Sequence, residues 1–326
     1  MRYYLLLLCL ALGGCDLNQH PVDSMFDDYM GRIANVQDEQ ALPLPMTQTT
    51  QLPDKSELTL AIEPVTIGLL DSYELRKCGL FSIIAERNSV LGKVQDQFRE
   101  FDFQLALFAG LQQCLTNERI SVELKQTLSS IYSKKQTQLP SYFGNLLFTS
   151  DAMRAQLTSS TWLAMDNQIT NSELLRSFHT LYLAYQPENS VKELDLASYQ
   201  EILEKNNLMG ELWFSMRNAI DKLSVITQQL HQHDHKIICQ SGRDTTRFRY
   251  LNNVFNHVYV EQIQPYLARI DAHYFKLEPY VTLLENSHPT YTYPIRKTHA
   301  DFRQATLSHV KYWQGLFERC GVKVSR

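Results

Sequence analysis

Glycine and proline are scarce in this chain, at 12 and 11 of 326 residues. A strand-rich fold needs both at its many turns, so their shortage beside plentiful Leu, Gln, Glu and Lys argues for helices. Basic charge is not in excess either. The formal balance is −4, and such mild acidity argues against nucleic acid as a partner, which needs a concentrated basic surface. Beyond the N-terminus no apolar run reaches the roughly 20 residues of a membrane-spanning helix. Enzyme signatures are missing as well: there is no G-x-S-x-G elbow, phosphate loop, dinucleotide glycine fingerprint or kinase set. Carboxylate pairs such as Asp27-Asp28, or Glu201 with Glu204, fall on polar helix faces and read as solvated charge. No catalytic residue, metal or cofactor is assigned.

What is present begins at Met1. Arg2 and the free amine precede an apolar run, Tyr3 to Leu12, that is too short to span a bilayer. Leu12-Gly13-Gly14-Cys15 then resembles the lipobox of bacterial lipoproteins. The resemblance implies that residues 1–14 are a signal peptide and that Cys15 is acylated and becomes the new N-terminus. The expected location is therefore the cell envelope, lipid-anchored and facing the periplasm. Each buried methylene contributes about 0.8 kcal/mol, so several acyl chains make attachment effectively permanent. Asp16 resembles an inner-membrane retention signal, but Leu17 is not a usual supporting residue, and inner versus outer membrane stays open. An ordinary secreted protein with Cys15 as an unpaired thiol is the plainer alternative. Removing Arg2 with the signal takes 31 Lys and Arg to 30 against 35 Asp and Glu, a balance of −5.

Cysteine arithmetic fits export. Cys9 leaves with the signal and Cys15 carries lipid, so Cys78, Cys114, Cys239 and Cys320 remain. An even number in an oxidising compartment points to two disulfides, for which three pairings exist. Cys78–Cys114 with Cys239–Cys320 is favoured, because each bond then staples one half of the chain.

Hydrophobic spacing predicts a helix over 24–36, with Asp23 or Ser24 as its cap, and a Pro- and Gln-bearing connector over 37–55. Further helices are expected over 66–77 and 95–115. The latter is the clearest, with Phe98, Phe101, Leu105, Phe108 and Leu111 on one stripe. Another is expected from 120 to 136, ended by Pro140. Helices over 172–185, 197–205 and 208–231 follow. A long helix from Asp244 or Thr245 to about Asn286 should be kinked or divided by Pro265 and Pro279. The last covers 298–320. The expected fold is all-α, a mostly antiparallel helical bundle in one body or two packed halves. The expected division is signal 1–14, lipid anchor with short helix and linker 15–56, and helical domain 57–326.

The stretch Cys78-Gly-Leu-Phe-Ser-Ile-Ile-Ala-Glu-Arg-Asn-Ser-Val-Leu-Gly-Lys-Val94, with Cys114 some twenty residues on, resembles the bacterial lipoproteins grouped as domain of unknown function family 3080. Gln262-Ile263-Gln264-Pro265-Tyr266-Leu267 resembles a second block of that family. The resemblance implies no activity, because the family has no assigned reaction or binding residues.

Four constellations each admit a functional and a blander reading. Glu86-Arg87-Asn88-Ser89 follows an apolar run and is the first choice for a ligand site, with Arg87 gripping an anion that Asn88 and Ser89 orient. The same residues serve equally as a helix cap and a local ion pair. His231, His233 and His235 are metal-like, but two imidazoles on one helix face lack a further ligand, and a solvated helix terminus fits better. Arg243, Arg247 and Arg249 suit an anion at a helix start or simple local pairing. Tyr291 and Tyr293 suit sugar stacking or ordinary loop packing. The favoured expectation is a non-enzymatic lipoprotein that binds or scaffolds an envelope component. A binding protein or hydrolase for a small anion or cell-wall fragment is the alternative.

Overall fold

Helices carry the whole architecture, and no strand occurs among the described residues. The computed structural model describes residues 19–66, 68, 73–90, 92–165, 172–186, 194–240 and 242–322. The expected signal peptide and Cys15 lie outside the described residues, as do residues 67 and 69–72 of the helix expected over 66–77 and the expected stop at Pro187. In chain order the helices are α1 (Pro21–Gln37), α2 (Lys55–Leu58), a 3-10 turn (Leu75–Cys78), α3 (Leu80–Arg87), α4 (Gln97–Thr116), α5 (Val122–Thr149), α6 (Asp151–Leu157), α7 (Ser172–Tyr185), α8 (Gln200–Lys205) and α9 (Leu208–Gln232). After these come α10 (Thr246–Val254), a π-helical stretch (Phe255–Ile263), α11 (Gln264–Asn286) and α12 (Ile295–Arg319). None of them is long and apolar enough to cross a membrane.

The chain divides into two units. The described parts of Met1–Thr47, Arg217–Ile270 and Asp301–Arg326 form one, and those of Gln48–Met216 and Asp271–Ala300 the other. The N-terminal helix thus joins segments from the last third of the chain.

In the first unit, α1 buries Phe26, Tyr29, Met30 and Ile33. Its cap is neither Asp23 nor Ser24. The helix starts one turn earlier, at Pro21, whose fixed φ and missing N–H suit the first helical position. The imidazole Nδ1 of His20 accepts from the Val22 N–H at 3.2 Å. Asp23 is thereby released to pair with the buried Lys222 ammonium at 3.1 Å. At the other end, Asp38 turns left-handed at φ 56°, and the Gln37 amide meets that of Gln229 at 3.1 Å. The Cys239–Cys320 disulfide forms as expected. Beside it, Asp234 accepts from the Tyr312 hydroxyl at 2.9 Å and from Arg319 at 3.0 Å. Pro265 does interrupt the long C-terminal segment, and the interruption takes the form of the π-helical stretch just before it. A wider turn accommodates a residue that cannot donate to the preceding carbonyl ladder.

In the second unit, Leu75, Leu80, Leu107, Leu111, Leu124 and Leu128 form a core around the Cys78–Cys114 disulfide. Asp96 and Ser121 cap α4 and α5 by accepting from the N–H groups of Arg99 (3.0 Å) and Leu124 (3.3 Å). The two helices run antiparallel, since Phe108 meets Tyr132 while the earlier Phe101 meets the later Phe143, both at 5.3 Å between ring centres. α3 lies close on α4 at Gly110, where a methyl group would stand 2.7 Å from Leu80 Cδ1. The expected stop at Pro140 is wrong: α5 continues to Thr149 with the proline inside it. An internal proline costs about 3 kcal/mol. Beyond it, Phe143, Leu146, Leu147 and Phe148 are all buried, and at about 1.5–3 kcal/mol each their burial outweighs that cost.

Candidate functional site

The apolar run from Leu80 to Ala85 makes α3 a short packed helix, and its polar end is set by the turn that follows. Asn88 closes α3 through its own N–H, which donates to the Ile84 carbonyl at 3.0 Å. The chain then folds back so tightly that a methyl group on Gly92 would lie 2.5 Å from the Arg87 carbonyl oxygen and closer still to that of Glu86. Only glycine fits this approach without moving backbone. Arg87 locks the turn: its guanidinium donates to the Gly92 carbonyl and pairs with the Glu100 carboxylate of α4. The Phe103 ring lies 5.7 Å below it. Glu100 also accepts from the Gln104 amide at 2.7 Å, and the Ser89 hydroxyl accepts from the Gly92 N–H at 3.1 Å.

The four residues picked out from the sequence do not converge on one cavity. Arg87 and Asn88 line a pocket of about 340 Å³ whose walls are Leu80, Ile84, Phe103, Leu107, Leu111, Leu128 and Ile131. Glu86 and Ser89 instead face an open cleft of about 450 Å³ with Gly92, Val94, Gln95, Asp96 and Arg99. Of the two, the first has the character of a ligand site, with apolar walls and a few polar groups. It also contains a residue that sequence reasoning missed. Lys135 lines this pocket, is only 7% exposed, and donates to the Tyr142 hydroxyl at 2.9 Å. Burial holds its amine below the ordinary lysine range, with the charge of Glu100 acting in the opposite direction. Burial likewise pushes the Tyr142 phenol up to about 12, with Glu100 adding to it. A signal for Lys135 did exist. Leu124, Leu128, Ile131 and Lys135 follow the 4-3-4 spacing of one helix face, so a lysine occupies a position of the apolar stripe.

The remaining candidates resolve into packing. His231 meets the Tyr312 ring edge-on at 4.9 Å, and His233 Nδ1 stands 3.6 Å from the Glu39 carboxylate. Cys239 is occupied by its disulfide, and no metal-holding group of three or more His, Cys, Asp or Glu exists among the described residues. Arg247 donates to the Gln37 carbonyl and to Asp38, each at 3.3 Å, and Arg249 to the Thr246 hydroxyl at 3.4 Å. Arg243 is exposed. Tyr293 is fully buried with its hydroxyl donating to the Leu157 carbonyl at 2.8 Å, and Tyr291 packs edge-on against Phe148. A third cavity, of about 460 Å³ beside Phe101, Pro140, Phe143 and Tyr185, has no charged residue in its lining.

No curated protein and no solved structure matches this chain. The family model described as protein of unknown function DUF3080 matches residues 26–324, nearly the whole length and both blocks that carried the resemblance. On that match the chain belongs to the DUF3080 family.

Proposed function

We propose that this chain is a non-enzymatic binding protein of the bacterial cell envelope, anchored through acylated Cys15 and facing the periplasm, whose α3–α4–α5 pocket receives a small molecule bearing negative charge. One observation carries the reading: two cationic side chains, Arg87 and Lys135, line a mainly apolar pocket of about 340 Å³. That volume lies within the roughly 300–1,000 Å³ of small-molecule sites. A binding role is supported over hydrolysis because, among the described residues, the lining offers no Ser, Cys or His, and its single hydroxyl side chain is Thr66. The lipobox and the two disulfides support placement outside the cytoplasm.

Native mass spectrometry tests this on protein extracted in mild detergent from its own membranes. A bound small molecule is expected on the wild type and is expected to be lost from Ile84→Trp, which fills the pocket. Unliganded wild-type protein, or a mass retained by Ile84→Trp, overturns the assignment of this pocket. The N-terminal peptide mass from the same sample tests the anchor, with acylated Cys15 expected.

A further inference from the structure

Four features of the pocket narrow the ligand. First, its local charge is unbalanced. Arg87 is neutralised by Glu100, whereas among the described residues the buried Lys135 amine has one hydrogen-bonding partner, the neutral Tyr142 hydroxyl at 2.9 Å. An ammonium carries three donors, so this one keeps capacity for another acceptor. Second, burial holds its amine below the ordinary range even with the charge of Glu100 acting in the opposite direction, and a bound anion would offset that desolvation cost. Third, the walls are Leu, Ile and Phe side chains from three helices. Fourth, apart from the two cations, the side chains able to hydrogen-bond among the described residues of the lining are Asn88 and Thr66. A sugar, with a hydroxyl on nearly every carbon, would leave most of them unpaired there.

Building on the pocket assignment above, we propose that the ligand is a single-chain amphiphile with one negative charge, a carboxylate on a hydrocarbon chain. The carboxylate meets the Lys135 ammonium, and the chain lies along Ile84, Phe103, Leu107, Leu111 and Leu128. Arg87 contributes as a positioning residue, since its bonds to Gly92 and Glu100 hold the end of α3 that forms the pocket rim. Binding is noncovalent, and no bond is made or broken.

Titration calorimetry below the micellar range, on the full mature chain, tests this with three probes of equal length: dodecanoate, dodecanol and dodecyltrimethylammonium. Dodecanoate is expected to bind at least about tenfold more tightly than dodecanol, as a charge-assisted hydrogen bond implies, and the cation more weakly than either. Lys135→Met should abolish the difference between dodecanoate and dodecanol while leaving dodecanol affinity within about twofold of wild type. Lys135→Gln, which keeps a polar end without charge, should do the same, so a folding defect in one variant does not leave the question open. Ile84→Trp should abolish binding of both. Lysophosphatidylglycerol of the same chain length, whose negative charge is a phosphodiester rather than a carboxylate, tests the headgroup: binding at least about tenfold weaker than dodecanoate assigns the free acid, and comparable binding overturns the carboxylate assignment. Equal affinity for dodecanoate and dodecanol, a difference that survives both Lys135 variants, or no binding of any probe overturns the proposal. If no probe binds while envelope-derived protein still carries a mass that Ile84→Trp loses, this inference fails and the pocket assignment stands. If that mass is missing too, both fail.

Discussion

His309 is buried completely in the first unit, where its two ring nitrogens meet the Tyr29 hydroxyl and the Thr227 hydroxyl, each at 2.9 Å. The Trp313 indole N–H donates to Tyr29 at 3.1 Å, closing a small polar network inside an aromatic core. Burial lowers the imidazole from 6.5 to about 3, so the folded protein keeps it neutral while the unfolded chain protonates it below pH 6.5. Its contribution to stability is therefore complete above 6.5 and falls away as the pH drops toward 3. The integrated effect is on the order of 5 kcal/mol. Urea unfolding of wild-type protein should show a midpoint that declines from pH 6.5 to 4, and His309→Gln should flatten that decline. An unchanged slope in the variant would assign acid sensitivity to other groups. At Gly92 the constraint is steric. Gly92→Ala should cost roughly 1–3 kcal/mol in the same assay, because backbone rather than a flexible side chain stands in the way. Asn88→Ala, at an exposed residue that closes α3 through its backbone, should stay within about 0.5 kcal/mol of wild type.

Elements were legible where their reason is local. The apolar stripe of α4, the span of α7 and the long α9 all follow from spacing alone. Proline misled, because its effect depends on what lies beyond it. At Pro140 the buried second half of α5 keeps the helix intact, whereas before Pro265 the ladder loosens into a π-helical stretch. Pro140→Ala should therefore raise stability by about 1 kcal/mol or more, by restoring a donor to the Gln136 carbonyl; a fall in the urea midpoint would mean that the helix is shaped around the ring. The disulfides act at this scale as well. Loops of 36 and 81 residues in sequence separation correspond to about 4 and 4.5 kcal/mol in the loop-entropy view. Replacing Cys78 and Cys114 together by Ser should thus lower the unfolding midpoint strongly, with the effect of the Cys239–Cys320 pair at least as large.

For the whole molecule, the sequence by itself determined the all-helical class, the family and an even set of four cysteines, while the structure decided which of three pairings they take. The first three depend on composition, short-range periodicity or parity, which survive without coordinates. It also contained Arg87 and Asn88, because polar residues at the end of an apolar run stand out. Only the tertiary structure separated these two from Glu86 and Ser89, since which side of a turn each residue faces depends on how Gly92 folds back. Only it, likewise, joined α1 to segments two hundred residues away and brought Lys135 to the same cavity as Arg87. A pocket is made by surfaces from α3, α4 and α5 meeting at angles that no single helix encodes. Periodicity reports which face of a helix is buried, and packing alone decides what that face meets.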